Sequence, residues 1–157
     1  MHKLKKFACI LLTLACLCTA ACAESVRMGF EDGFCLDLPG DWQYYPVSDD
    51  MAESGVTYCL SDASSTRWLY IQHWGGECET IDELHAIILE TEAPKFSGIY
   101  SFNGIVCVVY DLDSEDISCC SAIINGRIIN FMFTPQSDNA YMQIAAEIMG
   151  SLNLIDA

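Results

Sequence analysis

Two Asn-Gly dipeptides, Asn103-Gly104 and Asn125-Gly126, each stand between β-rich apolar runs, and nothing else in the chain constrains its folding as much. A two-residue hairpin turn needs positive φ at both central positions, which asparagine and glycine tolerate and most other residues do not. The flanking runs, residues 99–102, 105–110, 117–124 and 127–133, are rich in Ile, Val, Tyr and Phe. They read as four consecutive antiparallel strands, the middle two joined by an acidic loop over 111–116.

The first half carries shorter strand signals. Residues 34–38 alternate until Pro39-Gly40 stops them, residues 56–60 alternate again, and the aromatic run 67–74 is broken by Gly75-Gly76. Residues 24–32 lack periodicity and read as a leader, and 41–54 as a loop. Thr80-Ile81-Asp82-Glu83 is a capping-box sequence, and Ile81, Leu84, Ile87 and Ile88 form a stripe at helical spacing that ends near residue 93, before Pro94. A second helix is expected over 138–149, with Ser137 as its cap, Tyr141, Ile144, Ala145 and Ile148 on one face and Gly150 as its stop. The expected class is α+β, an antiparallel sheet of about six to seven strands flanked by two helices.

Residues 1–23 have a different character. Lys3, Lys5 and Lys6 precede an uncharged, mostly apolar run, which leaves through Ala21-Cys22-Ala23. These are the three parts of a cleavable secretory signal, and the apolar run is shorter than the ~20 residues of a spanning helix. The expectation is export, with no stable transmembrane segment after processing and one domain over 24–157. The alternative is a lipoprotein tethered through Cys22, for which the small neighbouring residues fit and Thr19 does not.

Cleavage would leave Arg27, Arg67, Lys95 and Arg127 as the only basic residues against all 22 acidic ones, a formal charge of −18 compared with −15 for the whole chain. A polyanion needs clustered Lys and Arg, so nucleic acid is excluded as a partner and anionic lipid is disfavoured. Six cysteines would remain, at 35, 59, 78, 107, 119 and 120. No C-x-x-C joins them, so neither a zinc ribbon nor a thioredoxin-type site is indicated. Disulfide-bonded and free thiols both stay open. The vicinal Cys119-Cys120 cannot put both side chains on one face of a strand, so at most one of them faces with Cys107.

The segments Gly33-Phe34 through Leu38-Pro39-Gly40-Asp41-Trp42, residues 80–89, Phe102-Asn103-Gly104 to Tyr110, and Gly126 to Thr134-Pro135 with the final helix resemble the PsbP-like superfamily, including its small secreted bacterial members of unassigned function. The resemblance covers nearly all of 24–157 by pattern. It implies an antiparallel sheet flanked by helices, and binding or assembly roles without catalysis. Photosynthetic members act on a manganese and calcium cluster, a role that no residue here transfers.

Candidate chemistry is sparse. Trp42, Trp68, Tyr70 and Trp74 are candidates for an aromatic binding patch, the alternative being burial under a helix or loop. Asp111, Asp113 and Glu115 alternate as in a calcium loop but lack its glycine and distal glutamate, so a solvated hairpin loop is the alternative. His73, Glu77, Cys78 and His85 match no common zinc spacing. There is no G-x-S-x-G elbow and no phosphate-cradling glycine loop. The sequence therefore reads as an exported, acidic, non-catalytic domain without cofactor, a secreted or cell-surface accessory that binds an unknown protein or small ligand. The alternative is a secreted carboxylate- or cysteine-based hydrolase without a recognisable motif.

Overall fold

A computed structural model describes residues 24–76 and 78–155. The leader expected over 1–23, including Cys22, lies outside the described residues.

The chain runs β1 (Ser25–Phe30), β2 (Phe34–Pro39), β3 (Gln43–Tyr45), α1 (Asp49–Glu53), β4 (Val56–Ser61), β5 (Trp68–Trp74) and α2 (Ile81–Thr91). It continues with β6 (Ser97–Phe102), β7 (Ile105–Leu112), β8 (Ile117–Ile124), β9 (Arg127–Thr134), α3 (Asn139–Gly150) and β10 (Asn153–Leu154). Seven strands form one antiparallel sheet in the order β3-β4-β5-β9-β8-β7-β6, and β1-β2-β10 form a second. The α+β expectation holds.

Both Asn-Gly turns form as read. Asn103 and Gly104 have φ of 49° and 82°, and Asn125 and Gly126 have 51° and 75°. Each asparagine side chain then does more than turn the chain. Asn103 Nδ2 donates to the carbonyls of Gly150 (2.8 Å) and Leu152 (3.1 Å) at the end of α3. Asn125 Nδ2 donates to Asp32 O at 2.8 Å and fits over Gly33, where an added Cβ would come within 2.6 Å of it. The two hairpin tips thus clasp α3 and the β1–β2 turn to the sheet.

Four expectations need correction. Residues 24–32 are not a structureless leader. Most of them form β1, an edge strand whose outer residues stay exposed, so burial imposes no alternation on them. With β2 and β10, β1 makes a separate three-stranded sheet where a single sheet was expected. The loop over 41–54 contains β3 and the short α1, which is capped by Ser48 and buries no residue, hence has no stripe to read. The flanking helices accordingly number three among the described residues. Finally, α3 is capped by Asp138, which accepts from the amides of Ala140 and Tyr141, while Gly150 sits in its last turn.

The larger sheet separates two cores. One face carries Leu60, Leu69, Ile71, Ile129, Phe131 and Phe133, and buries them against α3 and the small sheet through Leu36, Leu38, Tyr141 and Ile148. Phe34 of β2 meets Phe131 edge-on at 5.4 Å between ring centres. The other face carries Val108, Tyr110, Cys119 and Ile128 under Leu84 and Ile88 of α2.

Candidate functional site

From its inner side to its exposed flank, α3 presents Met142, Ala145, Ala146 and Met149, one stripe at helical spacing. The small Ala145 and Ala146 leave space above the β6–β8 end of the sheet, where Gly98 contributes no side chain beside Val109. The result is a cleft of 380 Å³ floored by Phe102, Val109, Cys120 and Phe133. Its polar groups gather at one end. Asp111 and Ser118 come from paired positions on β7 and β8, with Ser118 Oγ donating to Asp111 Oδ1 at 2.8 Å, and Gln136 and Asn139 stand opposite. A mostly apolar wall with a few grouped polar atoms is the usual make-up of a small-molecule site.

A second groove, of 550 Å³, opens beside Trp42 and is far more acidic, with Glu24, Asp37, Asp41, Asp62 and Glu147 around Arg67. Two of its charges pair with residues just outside the lining. Arg67 binds Asp138 Oδ2 through Nε (2.9 Å) and Nη2 (2.8 Å), and Arg27 Nε donates to Asp37 Oδ1 at 2.7 Å. The hydrogen bond from Arg27 holds the Asp37 carboxyl below its ordinary value.

The residues singled out in sequence are dispersed. Trp42 is buried on the α3 face, its ring 6.0 Å from that of Tyr141. Trp68, Tyr70 and Trp74 share the opposite face, half-buried, with Trp68 and Tyr70 parallel at 5.9 Å and Tyr45 edge-on to Trp68 at 4.9 Å. The sheet therefore lies between Trp42 and the other three. Asp111 belongs to the cleft, Asp113 pairs with Lys95 at 2.8 Å, and Glu115 is exposed in the β7–β8 turn. Among the described residues no three His, Cys, Asp or Glu side chains converge as a metal site.

The histidines go elsewhere as well. His73 Nε2 meets Asp32 Oδ2 at 2.9 Å, and Arg127 Nη1 reaches Asp32 Oδ1 at 3.2 Å, which ties the β1–β2 turn to the large sheet. His85 Nε2 lies 3.0 Å from Ser97 Oγ, while the Cys78 thiol donates to Thr80 O at 3.1 Å. Neither contact pairs Cys78 with an imidazole. Of the cleft residues, the sequence points to Asp111 alone as a ligand-binding candidate. The signal that could have found the rest is the Met142-x-x-Ala145-Ala146-x-x-Met149 spacing, whose small centre leaves a gap that larger residues would fill.

Sheet order, hairpin register and helix placement together define a PsbP-like fold. The particular likeness is to the solution structure of cyanobacterial PsbP (CyanoP) from Synechocystis sp. PCC 6803, with a TM-score of 0.59 and 13% sequence identity, covering 86% of this chain and 95% of that one. At that identity the likeness carries the fold and no more. No protein-family model and no curated protein matches the sequence. Among the described residues no helix is long and apolar enough to cross a membrane.

Proposed function

We propose that this chain is an exported, acidic, non-catalytic binding domain that takes a small apolar ligand into the cleft between α3 and the β6–β8 end of the sheet. The observation that carries the reading is the grouping of Asp111, Ser118, Gln136 and Asn139 at one end of an otherwise apolar cleft. A carboxylate and two amides favour a ligand whose end donates hydrogen bonds, such as an amine or a hydroxyl. The excess of acidic residues disfavours anions. The leader over 1–23 supports export, and a PsbP-like fold is consistent with an accessory role. Trp68, Tyr70 and Trp74 offer a separate surface on the far face, suited to a partner rather than to this ligand.

Titration of the purified protein with N-phenyl-1-naphthylamine, a neutral apolar amine that brightens out of water, tests the reading. Saturable binding is expected, and Ala146→Phe, which fills the cleft from its solvent side, should weaken it by about tenfold or more, equivalent to about 1.4 kcal/mol. Unchanged binding by an Ala146→Phe protein of normal melting temperature would refute the site.

A further inference from the structure

The vicinal cysteines of β8 part at the sheet. In the β7–β8 register Cys107 faces Ala122 and Cys120 faces Val109, so Cys107 and Cys120 are diagonal neighbours on the α3 face, while Cys119 turns to the α2 face beside Tyr110. The two thiols interact within that core, and the S–H of Cys107 also points at Ile105 O, 3.7 Å away. Among the described residues no other pair of thiols is placed side by side on paired strands. Cys59 and Cys119 share a face but are separated by β5 and β9, roughly three strand spacings of about 4.8 Å. Cys78 bonds to Thr80 O in the segment before α2.

From this geometry we infer that Cys107 and Cys120 are a dithiol pair, oxidised to a cross-strand disulfide by thiol–disulfide exchange through the α3 cleft. Cys120 lines the cleft floor and is the sulfur an incoming disulfide can reach, whereas Cys107 lies wholly buried behind it. In the first step the Cys120 thiolate, having lost its proton to solvent, attacks one sulfur of a small-molecule disulfide. A mixed disulfide forms and one thiolate leaves. In the second step Cys107 passes its proton to the first released thiolate, its own thiolate attacks the Cys120 sulfur, the Cys107–Cys120 bond forms, and the second thiolate leaves and takes a proton back from solvent. One disulfide is reduced to two thiols as the protein dithiol is oxidised. This inference does not depend on the ligand proposed for the cleft.

The test treats the reduced, folded full chain with bis(2-hydroxyethyl) disulfide, a small neutral oxidant, and follows intact mass. Once any adduct on Cys78 is allowed for, the expected product is lighter by about 2 Da with no adduct on the pair, and digestion before Asp111, Asp113 and Asp116 should leave the 107 and 120 peptides joined until reduced. Cys119→Ser should still form the bridge, and Cys107→Ser should stop at the adduct on Cys120. Failure of the wild-type protein to lose two hydrogens while the partly exposed Cys78 takes up the reagent would overturn the pairing. So would a bridge that disappears in Cys119→Ser.

Discussion

Along β9 successive residues enter two unlike environments. Ile129, Phe131 and Phe133 point toward α3 and the small sheet, among mostly apolar side chains, thiols and the Tyr141 phenol, whose hydroxyl donates to Trp68 O at 2.6 Å. Ile128, Asn130 and Met132 point toward α2, and there the interior holds a hydrogen-bonded row. Ser121 Oγ donates to Asn130 Oδ1 at 2.9 Å, Asn130 Nδ2 donates to Gln72 Oε1 at 3.3 Å, and Gln72 Nε2 reaches Ser54 O at 2.6 Å. The row runs across β8, β9 and β5 to the turn before β4. The first face draws its stability from apolar area and packing, which are large and non-directional. The second buries less and gains definition instead, because a slip of one residue would leave buried polar atoms unpaired. Burial under α2 pushes the Cys119 thiol up to about 12.

The contrast can be broken most directly by cavities. Phe131→Ala, at a fully buried site on the α3 face, should cost about 3–5 kcal/mol by chemical denaturation. Ile88→Ala on α2 should fall nearer the low end of about 2–5 kcal/mol, since a single helix over a small cluster can settle into the space. Equal costs would show that the two cores are energetically alike. A mutation of the polar row sharpens the point. Asn130→Ala should cost about 1–3 kcal/mol by stranding the Ser121 hydroxyl, while Asn130→Leu combined with Ser121→Ala should recover most of the loss. If the double variant were worse than the single one, the row would contribute stability rather than definition.

Helix caps offer a finer comparison. Asp138→Ala removes the cap of α3 together with the partner of Arg67, and should cost more than Thr80→Ala, which opens the capping box of α2 for about 1 kcal/mol. Acid gives the smallest effect. The Tyr141 amide and Arg67 hold the Asp138 carboxyl below its ordinary 3.8, so the folded state binds that proton less readily than the unfolded chain. The stability this supplies is complete above the unfolded value and drains away as pH falls through the lower folded one. Asp138→Asn should therefore flatten the fall in stability below about pH 4, measured by urea melts at stepped pH.

Much of this architecture is legible residue by residue. Asn103-Gly104 and Asn125-Gly126 specify their hairpins because few other pairs accept positive φ twice in succession. Thr80 and Glu83 form the capping box as written, each bonding the other's backbone. The edges were harder. β1 leaves Val26 and most of its neighbours exposed and α1 buries nothing, so neither imprints a period on its residues. The candidate site was harder still. Trp42 and Trp68 resemble each other in a linear reading, yet the chain turns after β2 and sends Trp42 to Tyr141, on the opposite side of the sheet from Trp68.

The sequence by itself determined what depends on neighbours in the chain: hairpin turns, caps, stripes, the acidic balance and the rule that Cys119 and Cys120 face apart. Only the tertiary structure decided which strands lie side by side, and therefore that Cys120 rather than Cys119 meets Cys107, that Ala145 and Ala146 leave a cleft over Val109, and that Asn130 finds Ser121 and Gln72. The physical reason is that local preferences act over a few residues, whereas a cleft or a buried pair is made by side chains brought together only once burial has chosen the packing.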